Sequence, residues 1–208
     1  MRKKARVSIL LFCCASWQIA RCDTNNIVEE LLRGTGSVFA VRSIPPTERP
    51  AIVLALKSFI ATNSYDVFRQ KRSHLILLEL NDVVTIEGAL RKLRNGGSAE
   101  QHFESLWLQE SKQASLISYL VPDLLREESP YPYHVEEHGY LPLSSVASEV
   151  IRSILQNSPD FNSSVRTWAS ALSQCYRDKL REEIRKWYQQ NKSALERKDY
   201  SSVTPPPQ

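Results

Sequence analysis

A helical repeat of apolar residues runs through most of this chain and limits its fold more than any other feature. From residue 24 to about residue 197, apolar side chains recur three and four positions apart, and short turns rich in Gly, Pro, Asn or Asp separate the runs. No segment alternates apolar and polar residues as a strand would, and six glycines among 208 residues are few for an all-β protein full of turns. The sequence therefore predicts an all-α fold.

Residues 1–22 have the layout of a secretory signal peptide. Basic residues precede a short apolar stretch, Val7–Ala20, and Ala20 and Cys22 occupy the third and the last position before the expected cleavage site. The apolar stretch is shorter than the ~20 residues that span a bilayer comfortably. We therefore predict an exported protein, periplasmic or secreted, with no membrane span in the mature chain. An uncleaved N-terminal anchor is the alternative.

The leader carries the chain's excess of positive charge. The whole chain has 27 Lys and Arg against 23 Asp and Glu, a net charge of +4, but five basic and no acidic residues lie within residues 1–22. The mature chain keeps 22 basic and 23 acidic residues, a net charge of −1. Since no basic stripe survives, the sequence predicts no nucleic-acid partner.

The cysteines follow the same division. Cys13, Cys14 and Cys22 lie in the leader, so only Cys175 belongs to the mature chain. A lone cysteine forms no internal disulfide, and Cys175, in a helical segment with no histidine nearby in sequence, is expected to be a buried apolar residue. Residues 19–22 also resemble a lipobox, with arginine where a small residue is usual. A lipid anchor at Cys22 is therefore an alternative to cleavage after it.

The apolar period places the helices and their inner faces. It puts Tyr65 and Phe68 on the apolar period of the third helix, and Phe103, Leu106 and Trp107 on the inner face of the fifth. The Pro-rich tail, 201–208, is expected to be disordered. Helices are predicted over residues 24–33, about 50–61, 65–80, 83–94, 99–109, 112–127 with a kink at its proline, from 144 or 145 to about 157, and from 161 to about 176, followed by a long charged helix over 176–197.

Corners between helices recur about 40 residues apart, near residues 77–82, 116–128 and 154–160. Residues 77–82 read Leu-Leu-Glu-Leu-Asn-Asp, which resembles the corner of HEAT-like repeats with Asn81 where glycine is usual. The stretch 150–169 resembles the second helix of another such repeat. The resemblance covers residues 47–190 and implies one domain over 23–200, a right-handed stack of antiparallel helix pairs. An irregular helical bundle is the alternative.

The helical period stops at residues 129–142, where three prolines and three tyrosines predict an ordered loop. Within it, residues 134–138 match the H-x-x-E-H pattern of inverted zinc peptidases, in which two histidines bind zinc and the glutamate activates a bound water. Flanking prolines leave room for one helical turn at most, and no third ligand is indicated. We therefore predict no metal or cofactor. A small metal-dependent hydrolase that uses His134, Glu137 and His138 is the alternative.

No other catalytic motif is present in the sequence: we find no P-loop, nucleophile elbow, dinucleotide-binding glycines or C-x-x-C pair. His74 and His102 stand alone among polar neighbours and are expected to be ordinary surface or boundary residues. The HEAT-like resemblance implies a scaffold with a concave binding face and no catalytic centre. We therefore predict a non-catalytic module that binds a protein partner. The tyrosines of 129–142 either extend that binding face or pack on the helices.

Overall fold

The computed structural model of the chain describes residues 24, 26–33, 38–63, 65–126, 142–172 and 177–206. Within these ranges every regular element is a helix, nine of them α-helices and two 3-10 helices. The predicted all-α fold class is confirmed. None of the described helices combines the length and the apolar character needed to cross a membrane.

Packing divides the chain into two compact units, residues 1–80 and residues 81–208. One domain over residues 23–200 stays a prediction, because a helical period shows where helices form but not which of them share a core. The division falls within the predicted HEAT-like corner. There Asn81 has a left-handed backbone with φ of 58°, a conformation that asparagine tolerates better than most residues. Asp82 then caps the next helix by accepting the backbone N–H of Thr85.

The first unit contains α1 (residues 26–33), a 3-10 helix (Val38–Ser43), α2 (Arg49–Thr62) and α3 (Val67–Glu79). An ion pair between buried Glu79 and partly exposed Arg42, with the guanidinium 2.9 Å from the carboxylate, joins the 3-10 helix to α3. The apolar core is formed by residues from all four elements: Val28, Leu32, Val41, Ile52, Leu56, Ile76 and Leu77.

The start of α3 lies outside this core, contrary to the sequence prediction. Tyr65, just before the helix, and Phe68, in its first turn, are both exposed, and the buried apolar residues of α3 begin at Leu75. The predicted apolar period over 65–80 is thus correct only for the second half of the helix. Periodicity alone could not locate the end of the core, because that end depends on how far α1 and α2 reach.

Among its described residues, the second unit has six α-helices and one 3-10 helix. α7 lies at its centre and packs on α5, α6, α8 and α9. Apolar residues around most of its circumference make this possible, among them Val146, Val150, Ile151 and Ile154, all buried. The elements are α4 (Val83–Asn95), α5 (Ser98–Glu110), α6 (Leu116–Leu124), α7 (Leu143–Asn157), α8 (Ser163–Ala171), α9 (Arg177–Glu196) and the 3-10 helix Tyr200–Ser202.

α6 is a short helix that contains Pro122, a residue without a backbone donor, near its end. The helix stops at Leu124, and Arg185 of α9 donates to the carbonyl oxygens of Leu124 at 2.8 Å and Arg126 at 2.9 Å. These charge-assisted bonds satisfy carbonyls that no helical N–H can reach. The predicted helix over 112–127 is therefore shortened at both ends.

The C-terminal segment is ordered through Pro206 where the sequence predicted disorder from Ser201. Asn191 of α9 holds it: the side-chain amide donates to the Thr204 carbonyl at 2.9 Å and accepts the Thr204 N–H at 3.0 Å. Val203 is fully buried beside these bonds, and its carbonyl accepts from Asn162 at 2.9 Å. Composition did not reveal this, because the partners are 13 and 41 residues away in sequence.

α5 presents the opposite face from the one the sequence predicted. Its polar residues Gln101, Glu104 and Ser105 are buried, whereas Phe103 is 58% exposed and Leu106 is 39% exposed. The predicted inner face of Phe103, Leu106 and Trp107 is wrong for the first two, and Trp107 is half-buried. Of the large apolar residues of α5, only Leu108 is fully buried.

Hydrogen bonds to α4 and within α5 explain this orientation. The Glu104 carboxylate lies 3.0 Å from the Lys92 ammonium group, and the Gln101 amide donates to the Leu93 carbonyl at 3.3 Å. Ser105 donates to the carbonyl of His102 at 2.7 Å. Because each buried polar side chain has a partner, α5 can bury this face without the penalty of unpaired groups.

The burial of Glu104 predicts a specific pH dependence of stability. Burial raises the pKa of the Glu104 carboxyl, and the bond to Lys92 offsets only part of that shift. The folded chain therefore holds this proton more tightly than the unfolded chain does. That contribution to stability is complete below the ordinary glutamate pKa and is lost as the pH rises through the raised pKa.

Replacing Glu104 with glutamine should remove this loss. We expect the free energy of unfolding of Glu104→Gln, relative to the wild type, to increase from about pH 4 to about pH 7. Lys92→Met should have the reverse effect and steepen the wild-type decline, because it removes the group that lowers the Glu104 pKa. Urea denaturation across this pH range measures both differences. Parallel curves for all three proteins would show that Glu104 does not titrate in this way.

Candidate functional site

A groove lies between α4 and α6, two helices that run in the same direction. At their N-terminal ends the Ser115 hydroxyl donates to the Asn81 side-chain oxygen at 2.8 Å. Towards their C-terminal ends the Arg94 guanidinium binds Asp123. α5 returns the chain between them, so α4 and α6 are parallel neighbours joined at both ends by side chains.

The Arg94–Asp123 pair joins α4 to α6 towards their C-terminal ends. Arg94 Nε lies 3.0 and 2.9 Å from the two carboxylate oxygens of Asp123, and Nη2 lies 2.6 Å from Oδ2 and 3.1 Å from the Tyr119 carbonyl oxygen. The Asp123 side chain is only 7% exposed, whereas 35% of the Arg94 side chain is exposed. The guanidinium is thus held by several bonds on one side and open on the other.

The groove has a volume of about 500 Å³ and two unlike walls. α4 contributes charged residues at one-turn intervals, and α6 contributes an aromatic ring and a proline. Val84 and Leu125, both exposed, extend the α4 and α6 stripes beyond the groove. The lining residues are Glu87, Leu90, Arg91, Arg94 and Asn95 of α4, and Ser118, Tyr119 and Pro122 of α6.

Charge is unevenly distributed along the α4 wall. Arg91 and Arg94 lie at its C-terminal end, and Glu87 lies one turn towards the N-terminus. Within the described ranges, neither Arg91 nor Glu87 has an ion-pair partner, although they are four residues apart on one helix. The groove therefore offers a cationic site for a carboxylate at one end, an acidic group at the other, and an apolar wall opposite.

The histidines that the structure describes do not form a site. His74 is half-buried on α3, and His102 is exposed on α5, its ring 6.1 Å from that of Phe103. In the described part of the chain, no three His, Cys, Asp or Glu side chains lie together as metal ligands would.

The remaining predicted positions lie outside the described residues. They comprise the leader with Cys22, Cys175, and residues 129–141 of the predicted loop with His134, Glu137 and His138. The zinc-peptidase alternative and the lipid-anchor alternative therefore stay as sequence predictions.

The groove was not predicted from the sequence, although a polar residue within the apolar stripe of α6 pointed to it. Asp123 lies between Leu120 and Leu124 on an otherwise apolar stripe of α6, and all three are buried. A buried carboxylate requires a cationic partner. The sequence could not identify that partner as Arg94, since it is 29 residues away.

Comparisons with protein-family models, with curated proteins and with solved structures found no match. The chemistry of the groove is accordingly taken from its own side chains.

Proposed function

We propose that this chain is a non-catalytic module that binds a protein partner after export, and that the groove between α4 and α6 receives a segment of that partner. The observation that carries the proposal is the groove itself, in which Arg91 and Tyr119 are both accessible on facing walls. Arginine and tyrosine are the residue types that contribute most to binding at protein interfaces, together with tryptophan. The extent of the groove suits a short peptide segment rather than a whole domain surface.

The helix arrangement supports a stack of helix pairs as the scaffold for this site. α4 and α5 pack as one pair, and α6 and α7 pack as the next. The first helices of the two pairs are joined by Asn81–Ser115 and Arg94–Asp123, and the second helices, α5 and α7, pack on each other. In a stack of helix pairs each unit packs on its neighbours, and the stack offers an extended binding surface. α8 and α9 each pack on α7.

A peptide selection tests the proposal. A random peptide library displayed on phage is selected on the full chain, and the enriched peptides are measured against the Arg91→Glu/Tyr119→Ala double variant. We expect peptides that bind the wild type and lose at least about tenfold in affinity on the groove variant, as loss of two anchor residues predicts.

Arg166→Glu is the matched control, because Arg166 is an exposed arginine on α8, outside the groove. Its affinity for the selected peptides should equal that of the wild type, and circular dichroism should show all three proteins equally helical. If every selected peptide binds the double variant as well as the wild type, the groove is not the binding site and the proposal is wrong.

A further inference from the structure

We infer that the partner segment places a carboxylate against Arg91 and Arg94 and an apolar side chain against Tyr119 and Pro122. This inference rests on the proposed function, since it names the chemistry of the segment that the groove binds. It is argued from the orientation of Arg94, the charge along α4 and the separation of polar and apolar walls.

Arg94 is already held in position for an anionic group. Its Nε and Nη2 atoms are used by Asp123 and the Tyr119 carbonyl, which leaves the Nη1 amino group without a hydrogen bond among the described residues. Arg94 also lines the groove, so this amino group is the part of the guanidinium available to a ligand. Because the side chain is fixed before binding, an incoming carboxylate orders little that was free.

Arg91 supplies the second donor. Residues three apart on a helix lie next to each other, so the Arg91 and Arg94 side chains share one end of the groove. Asp123 offsets the charge of Arg94, so Arg91 is the cation at this end that has no ion-pair partner among the described residues. Glu87, one turn away, repels a second carboxylate. The groove therefore suits a single acidic residue at the Arg91 end rather than an acidic run.

The opposite wall determines the neighbouring residue of the ligand. Tyr119 and Pro122 are three residues apart on α6 and form an apolar surface that faces α4 across the groove. In an extended peptide, successive side chains point to opposite sides. A peptide lying along the groove thus directs an acidic side chain to α4 and the adjacent apolar side chain to α6.

Two matched display libraries test this chemistry on the full chain. Both carry a fixed leucine or phenylalanine in random flanks; the residue beside it is Asp or Glu in one library and Asn or Gln in the other. We expect the acidic library to yield peptides whose binding is lost on the Arg91→Glu/Tyr119→Ala groove variant. Replacing the acidic residue of the tightest peptide with its amide should weaken binding at least about tenfold, and added NaCl should weaken the acidic peptide more than the amide.

Charge-reversed variants complete the test. Arg91→Glu should lose the acidic peptide and gain affinity for the same peptide with lysine at that position, whereas Arg166→Glu should bind as the wild type does. If Arg91→Glu and Arg166→Glu lose affinity for the acidic peptide equally, the attraction is unspecific and the inference is overturned.

The two proposals fail in different ways. Peptides that depend on the groove but bind equally well with an acid or an amide would overturn the carboxylate inference and leave the proposed function intact. If neither library yields a peptide whose binding depends on the groove, both the proposed function and the carboxylate inference are overturned.

Discussion

Replacing Leu108 with alanine should lower the free energy of unfolding by about 3 kcal/mol, whereas the same change at Leu106 should lower it by no more than about 1 kcal/mol. The two leucines are two residues apart on α5, so helix propensity and chemistry are matched. Leu108 is fully buried and its truncation leaves a cavity; Leu106 is 39% exposed and loses only part of its contacts. The comparison therefore isolates the face that α5 buries.

Tryptophan fluorescence during urea denaturation measures this difference. Trp107, Trp168 and Trp187 belong to the second unit, and buried Trp187 stacks on Trp168 with ring centroids 6.2 Å apart. Their emission thus reports the unit that contains α5. A larger loss at Leu106 than at Leu108 would show that α5 buries the face predicted from the sequence instead.

Replacing Asp123 with alanine should lower the free energy of unfolding by about 2 kcal/mol. Removing one partner of a fully buried ion pair costs about 3–5 kcal/mol. The expected value is lower here because the Arg94 side chain is 35% exposed, so water can solvate the unpaired guanidinium.

Asp178→Ala is the matched control for this change. Asp178 also pairs with an arginine, Arg181, at 3.3 Å, but its side chain is 86% exposed. Its removal should change the free energy of unfolding by less than about 1 kcal/mol. Equal effects of the two alanine variants would mean that the Arg94–Asp123 pair adds nothing beyond an ordinary surface ion pair.

The helix boundaries could be predicted from the sequence because local signals set them. The predicted ranges 83–94 and 99–109 match Val83–Asn95 and Ser98–Glu110 within one residue at each end. Asp82 marks the first start, and the two glycines at 96 and 97 separate the helices. Caps, glycines and apolar period all act within a few residues, so a single sequence contains them.

The errors concern contacts between residues far apart in sequence. Whether α5 buries Glu104 or Phe103 depends on Lys92 and on the packing of α7, and whether the C-terminal segment is ordered depends on Asn191. The groove also depends on a contact between distant residues, because the ion pair between Arg94 and Asp123 joins its two walls. Period and composition carry no information about such pairs.

Hydrogen–deuterium exchange of the full chain, with and without the tightest selected peptide, tests the binding site most directly. We predict slower amide exchange within 84–95 and 115–125, the two walls of the groove, and unchanged exchange within α8 and the C-terminal segment 200–206. Protection confined to α8 or to that segment, with α4 and α6 unchanged, would contradict the assignment of the groove as the site where this protein binds its partner.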